Sequence, residues 1–174
     1  MMDHMTDTAL PTPVRHHDYA PAGLHTITPF VVVAGGQAML DFYERAFGAR
    51  TLSRMDGPDG TVLHAEIMIG DSVLQVGDPI PDLGLVAPGE TRTTSFVMYV
   101  PDVDAAYARA VAAGATSLSG VEDVFSGDRM AAVMCPAGHR WVILTRVEDV
   151  PPEEIERRAR EWVASGSQHA EPDA

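Results

Sequence analysis

Lysine is absent from these 174 residues, and all twelve cations are arginine. That excludes Schiff-base chemistry and the lysine of a Walker-type phosphate loop. Cysteine occurs once, at Cys135, so neither an internal disulfide nor a cysteine-rich zinc site can form. No apolar run approaches the roughly 20 residues that a membrane-spanning helix needs. Positive charge is scarce: 25 acidic residues give a formal net charge of -13. A chain this acidic has no electrostatic footprint for nucleic acid or for an anionic membrane. The N-terminal stretch also lacks the basic start and apolar run of a secretory leader, so a cytoplasmic location is expected, in keeping with a single free thiol.

Apolar residues make up 45% and charged residues 21%, the composition of a globular domain or of two small repeated halves sharing a core. Residues 1–23 carry His4, His16 and His17 but no periodic pattern to hold metal ligands in place, and they read as a solvated tail. Residues 26–33 (TITPFVVV) are β-branched and read as a strand, with Pro29 marking an irregularity. In QAMLDFYERAF, residues 37–47, apolar positions recur at three and four, predicting an amphipathic helix; Gly48 stands where a left-handed cap belongs. Strands follow at 51–55, 61–69 and 72–76, divided by GPDG and by Gly70-Asp71. Residues 79–93 form a connecting loop.

The pattern then restarts. FVVVAGGQAMLDFYERAFGA at 30–49 matches FVMYVPDVDAAYARAVAAGA at 96–115, an offset of 66 residues that aligns Phe30 with Phe96 and Gly48-Ala49 with Gly114-Ala115. Strands at 116–124, 130–134 and 139–147 complete a second unit. The chain is therefore α+β: tandem βαβββ units, module one at 24–78 and module two at 94–150. From 151 to 174, Pro at a helix start, Glu153-Glu154 in the first turn and an Ile155/Ala159/Trp162/Val163 stripe predict a C-terminal helix with a frayed end.

The order of elements, the FYERAFGA helix end, GPDG followed by LHAEIMIGDSVLQVGD, FSGDR and PAGHRWVILTRVEDV together resemble the vicinal-oxygen-chelate superfamily. That superfamily holds glyoxalase I, bleomycin- and fosfomycin-resistance proteins and extradiol dioxygenases. HAEI and GDR…GHRW are most similar to its PhnB-like branch. The resemblance spans residues 24–150. It implies half-barrel modules facing each other across a cleft, a homodimer, and a small organic ligand. In metal-dependent members it also implies one divalent ion held by His, Gln or Glu from the first and last strands of each unit. The matching positions here are Thr28, Gln75, Ser95 and Val142, and Thr, Ser and Val are not ligands for such ions. The usual metal site is thus degenerate and no cofactor is expected.

Other residues offer chemistry. His64, Glu66 and Met68 alternate on one strand and share a face, while Leu63, Ala65, Ile67 and Ile69 form an apolar face toward the helix. A histidine and a carboxylate side by side make either an acid/base pair or a polar anchor. Gln75, Phe125, Asp128, Arg129 and Trp141 complete the candidate ligand contacts. Arg129 could grip a carboxylate or form a surface ion pair, and Trp141 could wall a ligand or fill the core. Two functions compete: a metal-free protein binding a small molecule in the inter-module cleft, and a lyase, isomerase or dioxygenase. The second would use a non-standard metal site or the His64/Glu66 pair. A regulatory scaffold whose cleft is filled by its own side chains is a third possibility.

Overall fold

The computed structural model describes residues 20–21, 23–90 and 94–166. His4, His16 and His17 lie outside the described residues. The element order is β1 (Phe30–Val32), α1 (Gly36–Phe47), β2 (Arg50–Asp56), β3 (Val62–Ile69) and β4 (Ser72–Gly77), then a 3-10 turn at Pro81–Leu83. The second unit is β5 (Ser95–Tyr99), α2 (Val103–Ala112), β6 (Thr116–Asp123), β7 (Asp128–Met134) and β8 (Arg140–Arg146), followed by α3 (Pro152–Ala164). Each unit builds one mixed sheet, β1-β4-β3-β2 and β5-β8-β7-β6, whose first and last strands run parallel. The tandem βαβββ architecture with a C-terminal helix is the one the sequence pattern predicts.

β1 is shorter than the apolar run. Pro29 has no N–H to give a ladder, so the strand starts after it, although its carbonyl still accepts from Gln75 N at 2.9 Å. Helix α1 starts at Gly36 without a side-chain cap of its own. Asp78, just beyond β4, supplies it: one carboxylate oxygen accepts from Gly35 N and Gly36 N, both at 2.9 Å, and the other from Val62 N at 2.8 Å. A carboxylate there also meets the positive end of the helix dipole. In α2 the local Asp102 does the same work, accepting from Ala105 N at 2.9 Å.

Helices α1 and α2 pack on each other, α1 also against β3 and α2 against β6, β7 and β8, and a single apolar core joins both units. Phe42, Tyr43 and Ile67 from the first meet Val103, Trp141 and Ile143 from the second. Trp141, on the helix-facing side of β8, lies 4.8 Å from Phe47 and 5.7 Å from Tyr43, ring to ring, both on α1. Each such buried side chain contributes about 1.5–3 kcal/mol. The helix-facing sides of both sheets thus share one core, and the alternate residues of β3 and β8 lie on the sheets' open faces.

The internal repeat has a different register from the one the sequence match gives. Val31 and Val33 face the core from the first unit, and Met98 and Val100 from the second, so β1 and β5 correspond at an offset of 67 residues. The same offset superposes the buried helix positions Met39 on Ala106 and Tyr43 on Ala110. The offset of 66 returns only at the helix ends. Ala49 N reaches back to Tyr43 O, whereas Ala115 N reaches Ala110 O, so α2 closes one residue tighter. A slip of one residue reverses the face of a strand. Phe30 therefore lies on an open face and Phe96 in the core.

Candidate functional site

Four of the eight residues singled out from sequence meet on the open face of the first sheet. On β3, Ala65 and Ile67 are buried toward α1, while His64, Glu66 and Met68 alternate to the other side and are half-buried. Leu63 departs from the expected apolar face and is 37% exposed. A register shift sets Met55 opposite His64 but Asp56 opposite Val62, leaving Leu63 as the extra residue. Gln75 stands opposite Glu66 on β4 and donates from Nε2 to Glu66 Oε1 at 3.3 Å.

Three further residues complete this face. Ser53 donates from Oγ to Glu66 Oε2 at 3.1 Å. Arg50 lays its guanidinium on the Met68 sulfur at 3.6 Å. Three positions apart on β2, Arg50 and Ser53 share a face because the pairing skips Leu52: Thr51 stands opposite Ile67 and Ser53 opposite Glu66. Phe30 reaches over from β1, its ring 6.0 Å from that of His64. Gly77 makes room for it, since a Cβ there would stand 2.8 Å from the Phe30 ring. Glu66 is thus a carboxylate held by two neutral donors, with no cation within ion-pair distance among the described residues. Beside it lie an imidazole on an aromatic ring and a thioether.

The other four candidates lie elsewhere. Asp128 is 4% exposed and takes a hydrogen bond from Ser126 Oγ at 2.7 Å and an ion pair from Arg146 at 3.1 Å. Arg129 grips Asp104 through two bonds of 2.8 and 3.0 Å and Asp123 through a third of 3.0 Å. These carboxylates hold the guanidinium pKa above its usual range, and Arg129 hold that of Asp104 below. Arg129 is therefore the surface ion pair and not a free fork for a ligand. Phe125, in the β6–β7 turn, lies tilted against the Trp162 ring of α3, 5.8 Å between centroids. Trp141 is a core residue, with Phe96 on its second side at 4.7 Å.

The open face of the second sheet is different in kind. Val97 and Tyr99 are exposed there, beside Val142, Leu144 and Met130. At the matched metal-ligand positions, Val142 has no donor atom, Ser95 accepts from Arg140 at 2.8 Å, Thr28 donates to His25 O at 3.2 Å and Gln75 is bonded to Glu66. This set does not fit a divalent ion. Among the described residues, no three of His, Cys, Asp or Glu gather closely enough to hold one.

Cys135 is buried, and burial pushes its thiol pKa up, which leaves it a poor nucleophile. The Tyr43 hydroxyl is enclosed beside it, with its pKa raised by burial and then by the neighbouring sulfur. His139 Nδ1 lies 4.0 Å from the Cys135 sulfur, and burial lowers the imidazole pKa.

Comparison with known proteins agrees with this architecture. The model of the Glyoxalase/Bleomycin resistance protein/Dioxygenase superfamily matches residues 23–143. Uncharacterized proteins of Mycobacterium bovis and Mycobacterium tuberculosis are 35% identical over 135 residues, covering 75% of this chain and 89% and 79% of theirs. Among solved structures, TioX from Micromonospora sp. ML1 is 26% identical with a TM-score of 0.55, covering 69% of this chain and 98% of TioX. The PhnB protein from Bacillus cereus shares the fold at 17% identity and a TM-score of 0.55, over 70% of this chain and 99% of its own.

Proposed function

The chain belongs to the Glyoxalase/Bleomycin resistance protein/Dioxygenase superfamily, and from that premise we propose that it is a metal-free protein that binds a small organic molecule on the open face of its first sheet. The observation that carries this reading is the convergence of His64, Glu66, Met68 and Gln75 with Phe30, Ser53 and Arg50 on one face of the first sheet. Glu66 is oriented by Ser53 and Gln75 and keeps its charge uncompensated, so it can accept from an amine or another donor on the ligand. Phe30 and Met68 supply apolar contact. In this reading the working form is a cytoplasmic homodimer, as the family resemblance implies.

His64 and Glu66, two apart on one strand, also satisfy the geometry of an acid/base pair. One experiment separates binding from catalysis. Native mass spectrometry of untagged protein reports subunit number and any copurified compound; the compound is then returned to protein stripped of it. A stoichiometric adduct recovered unchanged, and lost in Glu66→Gln, supports the binding reading. A changed mass that depends on His64 shows an enzyme instead. A stoichiometric metal ion that the protein needs for binding overturns the metal-free reading.

A further inference from the structure

A separate concavity lies away from that face. It is a groove of about 850 Å³ at the seam between the units, bounded by the end of the β3–β4 hairpin, by β5 and by the segment before β1. Its volume is within the range of small-molecule sites, roughly 300–1,000 Å³. Phe47, Leu74, Met98 and Trp141 make an apolar floor, with Ile27, 83% exposed, at the rim.

Five titratable groups line it: His25, Asp71, Tyr99, Asp102 and Arg109. The two carboxylates already accept hydrogen bonds, Asp102 from Ala105 N and Asp71 from Ser72 Oγ at 3.0 Å. Arg109 has no carboxylate within ion-pair distance among the described residues, unlike Arg129, Arg146, Arg157 and Arg158. β5 is also an edge strand, hydrogen-bonded only to β8. Val100 N donates to Leu144 O, and N–H groups alternate in direction along a strand, so those of Val97 and Tyr99 point to the open edge. The groove thus combines an apolar bed with spare donors and one uncommitted cation.

We propose that this groove is a second binding site, for an anionic amphiphile such as a medium-chain carboxylate, with its chain on Phe47, Leu74 and Trp141 and its headgroup at Arg109. Trp141 is the natural reporter, because the chain's other tryptophan, Trp162, lies on α3. In the full-length Trp162→Phe protein, sodium decanoate below its micellar concentration is titrated against Trp141 fluorescence, with decanol and decyltrimethylammonium as the neutral and cationic counterparts. The expected result is a saturable shift at one decanoate per chain. Arg109→Gln should weaken it about fivefold, the worth of one exposed charge pair, and leave decanol unaffected. Ile27→Glu, a rim substitution with no core contact to lose, should weaken decanoate binding by charge repulsion.

No saturable shift with decanoate overturns the proposal, as does equal or tighter binding of the cationic counterpart, or an Arg109→Gln protein that binds as before. Two results give the groove to another occupant and also overturn it. One is a dimer that Ile27→Glu dissociates, with no decanoate binding by either protein. The other is decanoate binding only by a chain beginning at residue 20, which would show that the N-terminal segment fills the groove. Glu66→Gln is the control: unchanged decanoate binding keeps this site separate from the open face.

Discussion

Phe30, the first residue of β1, and Phe96, the second of β5, point to opposite sides of their sheets. The Phe30 ring lies 6.0 Å from His64 on an open face, and the Phe96 ring 4.7 Å from Trp141 in the core. Their replacement by alanine should separate cleanly. Phe96→Ala should cost about 2–3 kcal/mol of stability, the lower part of the range for a large core ring because Phe96 is only partly buried. Phe30→Ala should cost under about 1 kcal/mol while weakening binding at the Glu66 face. Urea denaturation measures the first, and ligand titration the second. Equal stability losses would contradict this placement of the two rings.

Asp78 joins three backbone N–H groups from two elements. Asp78→Ala should destabilise by about 2 kcal/mol, since it removes a helix cap and also strands Val62 N in a buried setting. Asp78→Asn, which retains oxygen on one arm only, should fall between. Thermal melts of the three proteins under one buffer condition would show the order.

Gly127 has φ +85, and a Cβ there would collide with the Glu148 carbonyl and Val150. The backbone of Val147 and Glu148 donates to Gly127 O, each at 3.0 Å, which pins the segment leading to α3 over the β6–β7 turn. Gly127→Ala should cost about 2–4 kcal/mol, from left-handed strain plus overpacking. Gly70→Ala, with a positive φ but open space around it, should cost only about 1 kcal/mol. Comparable losses at both sites, read by calorimetry, would count against the steric account.

His139 is half-buried between Phe96 and Cys135, and its pKa is lowered from the ordinary 6.5 by desolvation. Between the folded and unfolded values the unfolded chain binds more protons, so stability there rises with pH. The expected behaviour is full stability above pH 6.5, loss as pH falls below it, and no further loss from this group once pH is under the folded value. His139→Gln should remove that part of the slope. A pH series of denaturation midpoints for both proteins tests it.

Much of this molecule was legible in its sequence, because helix periodicity, the glycine caps and strand alternation are local signals. The shared face of His64, Glu66 and Met68 followed from spacing alone. What was not legible depended on single-residue changes in register. The bulge at Leu52 hides Ser53 and Arg50 from a period-two reading, and the tighter end of α2 makes Phe30 look equivalent to Phe96. Asp128 and Arg129 look alike as ligand contacts in sequence; only the fold reveals that Arg146 and Asp104 already occupy them. Asp78 was missed as a cap because it is over forty residues from the helix start it serves.

The two helices pack on each other, and each unit relies on side chains of the other for its interior. Neither repeat is therefore a self-sufficient folding unit, although each contains a full set of strands. Heat should melt both together in one cooperative transition, and a break in the connecting loop should leave two fragments that acquire structure only by reassociating. A gene encoding either half alone would be expected to yield a chain prone to aggregate.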